Sequence, residues 1–151
     1  PTRLDALRVI GDLASDKIET LSKQLELLRV TRLIEAAPVS MMYADRDLRI
    51  RYMNPASARL LRRVEMYLPC KVDDMIGQSI DIFHKAPEMQ RRLLAEPKNL
   101  PHRAIIRIGP EYADLLVNPM LDRDGSYLGP MLTWDIVTEK VETEASTVMN
   151  H

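Results

Sequence analysis

The chain changes its hydrophobic period at Pro38, and that break constrains the fold more than any other feature. Ahead of it, residues 4 to 28 repeat in sevens: Leu4, Gly11, Ile18 and Leu25 fall at one position, and Leu7, Ala14, Leu21 and Leu28 at the other. Apolar residues at this spacing form the seam of a coiled coil. Charged residues from Arg8 to Glu26 solvate the remaining faces, and no proline interrupts them. The helix read here runs roughly 40 Å at ~1.5 Å per residue. Ile10 and Leu13 widen the stripe, as in a helix packed on its own domain. The sustained heptads favour a partner helix instead, and the expected partner is a second copy in a parallel homodimer, because a bare seam would expose a long apolar surface. Gly11 and Ala14 thin the early layers, so the seam is expected to be tightest from Ile18 to Leu28.

Beyond Pro38 the pattern alternates. Residues 39–44 and 48–53 read as two strands around the turn Asp45-Arg46-Asp47, with Leu48, Ile50 and Tyr52 alternating against Arg49 and Arg51. Asn54-Pro55 ends the second strand, and Pro55 suits the first turn of a helix over residues 56–63. Short helical pieces follow between residues 72 and 95, broken at Gly77 and Pro87. Three further strands are expected at 103–109, 112–120 and 127–137, the last two joined by Asp122-Arg123-Asp124-Gly125. The fold class is α+β: a five-stranded antiparallel sheet with short helices over one face, preceded by the long N-terminal helix. A sheet interrupted this way buries one face under its helices, and the result is a half-open cup suited to a ligand. The expected division is 1–33 for the coiled-coil helix, 34–138 for the globular domain, and 139–151 for an output helix carrying Val141, Ala145 and Val148, or a tail.

Composition removes several classes of function. A formal charge of −1 with interspersed signs leaves no basic footprint for nucleic acid and no polybasic membrane patch. The longest apolar run is far short of a membrane span, and the opening residues carry no signal-peptide pattern. The single cysteine, Cys70, cannot form an internal disulfide, so a reducing cytoplasm is the expected compartment. Walker, dinucleotide-glycine, His-Glu-x-x-His and nucleophile-elbow motifs are absent, and the expected protein is not an enzyme.

The order of elements, Tyr52-Met53-Asn54 at the end of the second strand, Gly77-Gln78-Ser79 at a helix entry, the Asp-Gly hairpin, and Trp134-Asp135-Ile136-Val137-Thr138 at the end of the last strand together resemble the PAS sensor family over residues 34–138. The stretch from Ile80 through Lys85 and on to Gln90-Arg91-Arg92-Leu93-Leu94 is similar to PAS domains of soluble bacterial chemoreceptors, among them haem-binding aerotaxis receptors. That resemblance implies haem b as cofactor and oxygen or another diatomic gas as ligand. It places His84 as the iron ligand and Trp134 facing the bound gas; Phe83, Leu116 and Leu132 are expected beside them as further cofactor-binding residues. The second histidine that often stands five residues after the ligand is replaced by Met89. The Asp of the usual Asp-x-Thr exit is shifted, since Ile136 stands two before Thr138.

Read without the resemblance, the same residues are less specific. A haem ligand is a neutral imidazole beside an apolar wall, and Phe83, Ile82 and the methionines at 41, 42, 120 and 131 offer such a wall. A histidine ahead of a Lys-x-Pro turn also fits a partly exposed residue with a local hydrogen bond. Trp134 shares strand parity with Leu132, Pro130 and Leu128, so it points with them into the cup, where it is a gas-facing donor or a core residue. His102 reads as an exposed edge residue and His151 as terminal. Cys70 lacks the Asn-Cys-Arg run of photoactive flavin-binding relatives, and His84 with Glu88 makes too few ligands for a separate metal site. The main functional alternative is a cofactor-free module that dimerises and couples coiled coils within a larger signalling protein.

Overall fold

The computed structural model describes residues 2–140, 142 and 143. They divide into two compact units between Ala36 and Ala37. The first is one helix, α1 (Arg3–Ala36), 34 residues long, three residues past the expected boundary. Thr2 and Asp5 close its start reciprocally: Thr2 N donates to Asp5 Oδ2 at 3.1 Å, and Asp5 N donates to Thr2 Oγ1 at 3.2 Å. Two donors of the first turn are thereby satisfied, in the manner of a capping box. Pairs such as Glu19–Lys23 and Arg32–Glu35 lace its surface at helical spacing. None of its residues is buried, and Ile18, Leu21, Leu25 and Leu28 are all exposed.

The second unit is a five-stranded antiparallel sheet with helices on one face. In chain order it comprises β1 (Ser40–Ala44), β2 (Ile50–Met53), α2 (Pro55–Arg63), 3₁₀ turns at Glu65–Tyr67, Val72–Asp74 and Ile80–Phe83, α3 (Pro87–Leu94), a 3₁₀ turn at Pro97–Asn99, β3 (His102–Ile108), β4 (Glu111–Leu121) and β5 (Tyr127–Ile136). Strand order is β2-β1-β5-β4-β3, so the first and last strands lie side by side at the centre. Pro87 opens α3 at its first turn instead of breaking a helix, where its fixed φ and missing N–H cost nothing. Gly125, at φ 86, supplies the left-handed residue of the β4–β5 turn, and Gly125 N donates to Asp122 O at 3.0 Å. His102 begins β3, the edge strand, and is exposed as expected.

The register decides which side chains enter the cup. Trp134 lies opposite Ser40 and Leu115, and Leu132 opposite Met42 and Val117. Met42, Ile50, Leu61, Val72, Met75, Ala113 and Trp134 form the main buried cluster, with Phe83, Leu115, Leu132 and Ile136 packed on it. A second cluster joins Leu48, Leu94, Leu100 and Tyr127. Ile80 packs on both.

Three expectations about this lining change. Leu116 pairs with Thr133 and Arg103 and is 38% exposed. It lies on the outer face, because adjacent strand residues point to opposite sides; its neighbour Leu115 lies against the inner cluster. Met41 and Met131 share that outer parity through their pairing with Thr133 and Tyr43, so the methionines of the interior are Met42, Met53 and Met75. Leu128 is exposed, since the β4–β5 register slips at Met120/Leu121 and Gly129 takes φ 134. A Cβ at Gly129 would stand 2.2 Å from the Ala44 carbonyl oxygen, so only glycine lets β5 pass that close to the end of β1.

Candidate functional site

His84 is the residue immediately after the 3₁₀ turn Ile80–Phe83, with extended backbone, and it is half-buried. Ser79 starts the turn, its hydroxyl accepting from Asp81 N at 3.2 Å. His84 Nδ1 lies 2.8 Å from Ile80 O. A carbonyl only accepts, so this contact requires the proton on Nδ1 and, in the neutral imidazole a metal needs, puts the lone pair on Nε2. Metal-bound histidines are oriented in this way by their second nitrogen. Phe83, one residue back, turns into the main cluster.

Asp81 ties this turn to α3. Both carboxylate oxygens accept from Arg91, a forked pairing, with Nε at 2.9 and 3.0 Å. The hydrogen bond from Arg91 holds the Asp81 carboxyl below its usual range. A carboxyl whose pKa is lowered by folding contributes stability above its unfolded pKa and loses it as pH falls through the folded value. Arg91→Gln should therefore cause a small loss of stability at neutral pH that disappears in acid, where Asp81 is protonated in both proteins; thermal melts across pH check this. A loss that persists in acid would mean Arg91 acts by packing.

Trp134 is 5% exposed. Its Nε1 donates to Ser57 Oγ at 2.9 Å, and Ser57 is fully buried in the first turn of α2. Asn54, also fully buried, caps that helix: its Oδ1 accepts from Ser57 N at 3.0 Å and Met41 N at 2.9 Å, and its Nδ2 donates to Val39 O at 2.8 Å. The sequence marks Asn54-Pro55 as the boundary between strand and helix, and the structure adds that the Asn54 side chain is the cap. Ser57 escapes sequence reading, and the available signal is a lone hydroxyl within Ala56-Ser57-Ala58 on the apolar side of α2. The Tyr127 hydroxyl donating to Leu94 O at 2.8 Å was likewise missed; it links β5 to the end of α3.

The space is smaller than the cup expected from sequence. Side chains fill the interior beneath the helices. A cleft of about 280 Å³ opens beside Trp134, between Pro38, Ala56 and Arg59. Another of about 510 Å³ lies at Arg62, Met66 and Cys70. His84 lines neither of them. The donor chemistry at His84 therefore suits haem and the wall of Phe83, Leu115 and Leu132 suits a macrocycle, but its volume requires these side chains to move apart. Burial, with Asp74 and Glu65 nearby, pushes the Cys70 thiol up, which disfavours the reactive thiolate. Among the described residues no group of three or more His, Cys, Asp or Glu gathers around a possible metal ion, and no helix is long and apolar enough to cross a membrane.

A sheet in the order β2-β1-β5-β4-β3, with helices inserted after its second strand, defines a PAS domain. The chain belongs to the PAS domain family, whose profile matches residues 30–136. It is homologous to the methyl-accepting chemotaxis protein McpB of Pseudomonas aeruginosa, 31% identical over 121 residues, which cover 77% of this chain and 18% of McpB. The chain thus corresponds to under a fifth of that relative's length. Among solved structures it resembles the Aer2 receptor of Vibrio cholerae, described as a dual PAS-haem oxygen sensor, at 35% identity and a TM-score of 0.63, over 66% of this chain and 95% of that one. The PAS domain of Bordetella pertussis BvgS, 21% identical with a TM-score of 0.55 over 83% of this chain and 94% of that one, shares the fold.

Proposed function

We propose that this PAS domain is the gas-sensing part of a cytoplasmic bacterial chemoreceptor-like protein and that it holds haem b through His84. The observation that carries the reading is the Nδ1 contact to Ile80 O, which orients a half-buried imidazole and leaves Nε2 as the nitrogen that would ligate. Haem b held by His84 would supply an iron able to bind a diatomic gas. Phe83, Leu115 and Leu132, packed on the cluster that contains Trp134, would exclude water from the ring, and Trp134 would offer an indole donor from β5. The likeness to the Aer2 structure supports this assignment. Protein purified after growth with haem should show a Soret band, and colourless protein that stays colourless on reconstitution would reject the reading.

The side-chain-filled interior favours a second reading, a PAS module that dimerises and couples helices without a cofactor. Both readings assign α1 to a parallel homodimer, since the apolar residues of its seam are exposed along the whole helix. Removing residues 1–36 should lower the oligomeric state in sedimentation while the circular dichroism of the remaining unit stays that of a folded sheet. A truncated protein equally dimeric at low concentration would move the interface onto the PAS unit itself.

A further inference from the structure

An indole has one N–H and no acceptor. In this chain that single donor is already engaged, 2.9 Å from Ser57 Oγ, with both residues buried. Ser57 is in turn fixed by Asn54, which accepts its backbone N–H at 3.0 Å and also holds the start of β1. We infer that Ser57 is a positioning residue of the gas site: its hydroxyl holds the Trp134 N–H while the cup lacks a polar ligand, and a gas recognised by that N–H must displace Ser57. The inference rests on the proposed function and adds to it a competitor inside the protein.

Competition fixes the sign of the effect. Affinity for a polar gas follows the difference between two hydrogen bonds, one to the gas and one to Ser57. Without the Ser57 hydroxyl the buried N–H has no partner in the ligand-free protein, a state that is costly to maintain. Ser57→Ala therefore tightens oxygen binding, whereas Trp134→Leu, which removes the donor, weakens it. Carbon monoxide is a poor acceptor and responds little to either change. A purely structural Ser57 would alter both gases together.

Two measurements test this. The chain has a single tryptophan, so its emission reports Trp134 alone. In protein without haem, Ser57→Ala should shift that emission, and Ser57→Thr, which keeps a hydroxyl, should restore most of it. With haem loaded, Ser57→Ala should tighten oxygen binding about three- to tenfold, as expected for one net hydrogen bond, with carbon monoxide changed less than about twofold; in a Trp134→Phe background the oxygen effect should vanish. Unchanged emission without haem, or equal shifts for the two gases, overturns the role of Ser57. A chain with no Soret band overturns the haem function and the exchange with it; a Soret band with unchanged oxygen affinity in Ser57→Ala overturns the exchange alone.

Discussion

His84→Ala should abolish the Soret band of haem-reconstituted protein and leave the far-ultraviolet circular dichroism nearly unchanged. The two halves of this result come from different parts of the turn. His84 stands just past Phe83 and is only half-buried, so its removal leaves Ile80 and Phe83 on the main cluster. What is lost is an imidazole whose Nδ1 is held at 2.8 Å by a backbone carbonyl. Apolar contact alone retains a macrocycle poorly in an interior that side chains already fill. Haem that binds the variant with unaltered spectrum and affinity would place the ligand elsewhere. His102 is then the next residue to test, and it starts from an exposed edge strand.

Asn54→Ala should be among the most destabilising single substitutions in the PAS unit. The side chain is fully buried and serves three backbone groups: Met41 N in β1, Ser57 N in α2, and Val39 O just before β1. Alanine removes all three contacts and puts nothing in their place. A buried backbone group left unsatisfied costs ~1–3 kcal/mol, and lost N-caps alone cost ~1 kcal/mol. With relaxation, a total of roughly 3–5 kcal/mol is expected, a large share of the ~5–15 kcal/mol that holds a typical domain. Thermal unfolding should show this as a fall in Tm of about 10–20 °C. A fall of less than about 3 °C would mean that water replaces Asn54 and that β1 and α2 do not depend on it.

The sequence disclosed those parts of the fold that are local. The heptads specify α1, Asn54-Pro55 specifies the start of α2, and Asp122-Arg123-Asp124-Gly125 specifies the hairpin between β4 and β5, because each is a matter of backbone conformation within a few residues. The inward aim of Trp134 followed from alternation along β5. Lining residues on other strands did not follow, since they depend on register. Choosing Leu116 over Leu115 is a one-residue error, and one residue exchanges the faces of a strand. Leu128 fell to the slip at Met120/Leu121, where alternation restarts. Ser57 was hidden for a different reason: its partner Trp134 lies 77 residues away, so nothing local marks it as an acceptor.

The partition of the interior into two clusters bears on how a large planar molecule could enter. The smaller cluster, Leu48, Leu94, Leu100 and Tyr127, closes the end of the cup that α3 covers, and Ile80 is shared with the larger one. Ile80 also supplies the carbonyl that holds His84. Native proteins open locally in cooperative units that often coincide with supersecondary motifs. If the smaller cluster opens and recloses as its own foldon while Met42, Met75, Ala113 and Trp134 stay packed, uptake of such a molecule is gated by that excursion, with no need for global unfolding. Native-state amide exchange is the readout: amides of α3 and the turn before it should exchange through a low-energy opening, those of β1 and of residues 131–136 of β5 only at the global limit, and cofactor binding should slow the first class far more than the second.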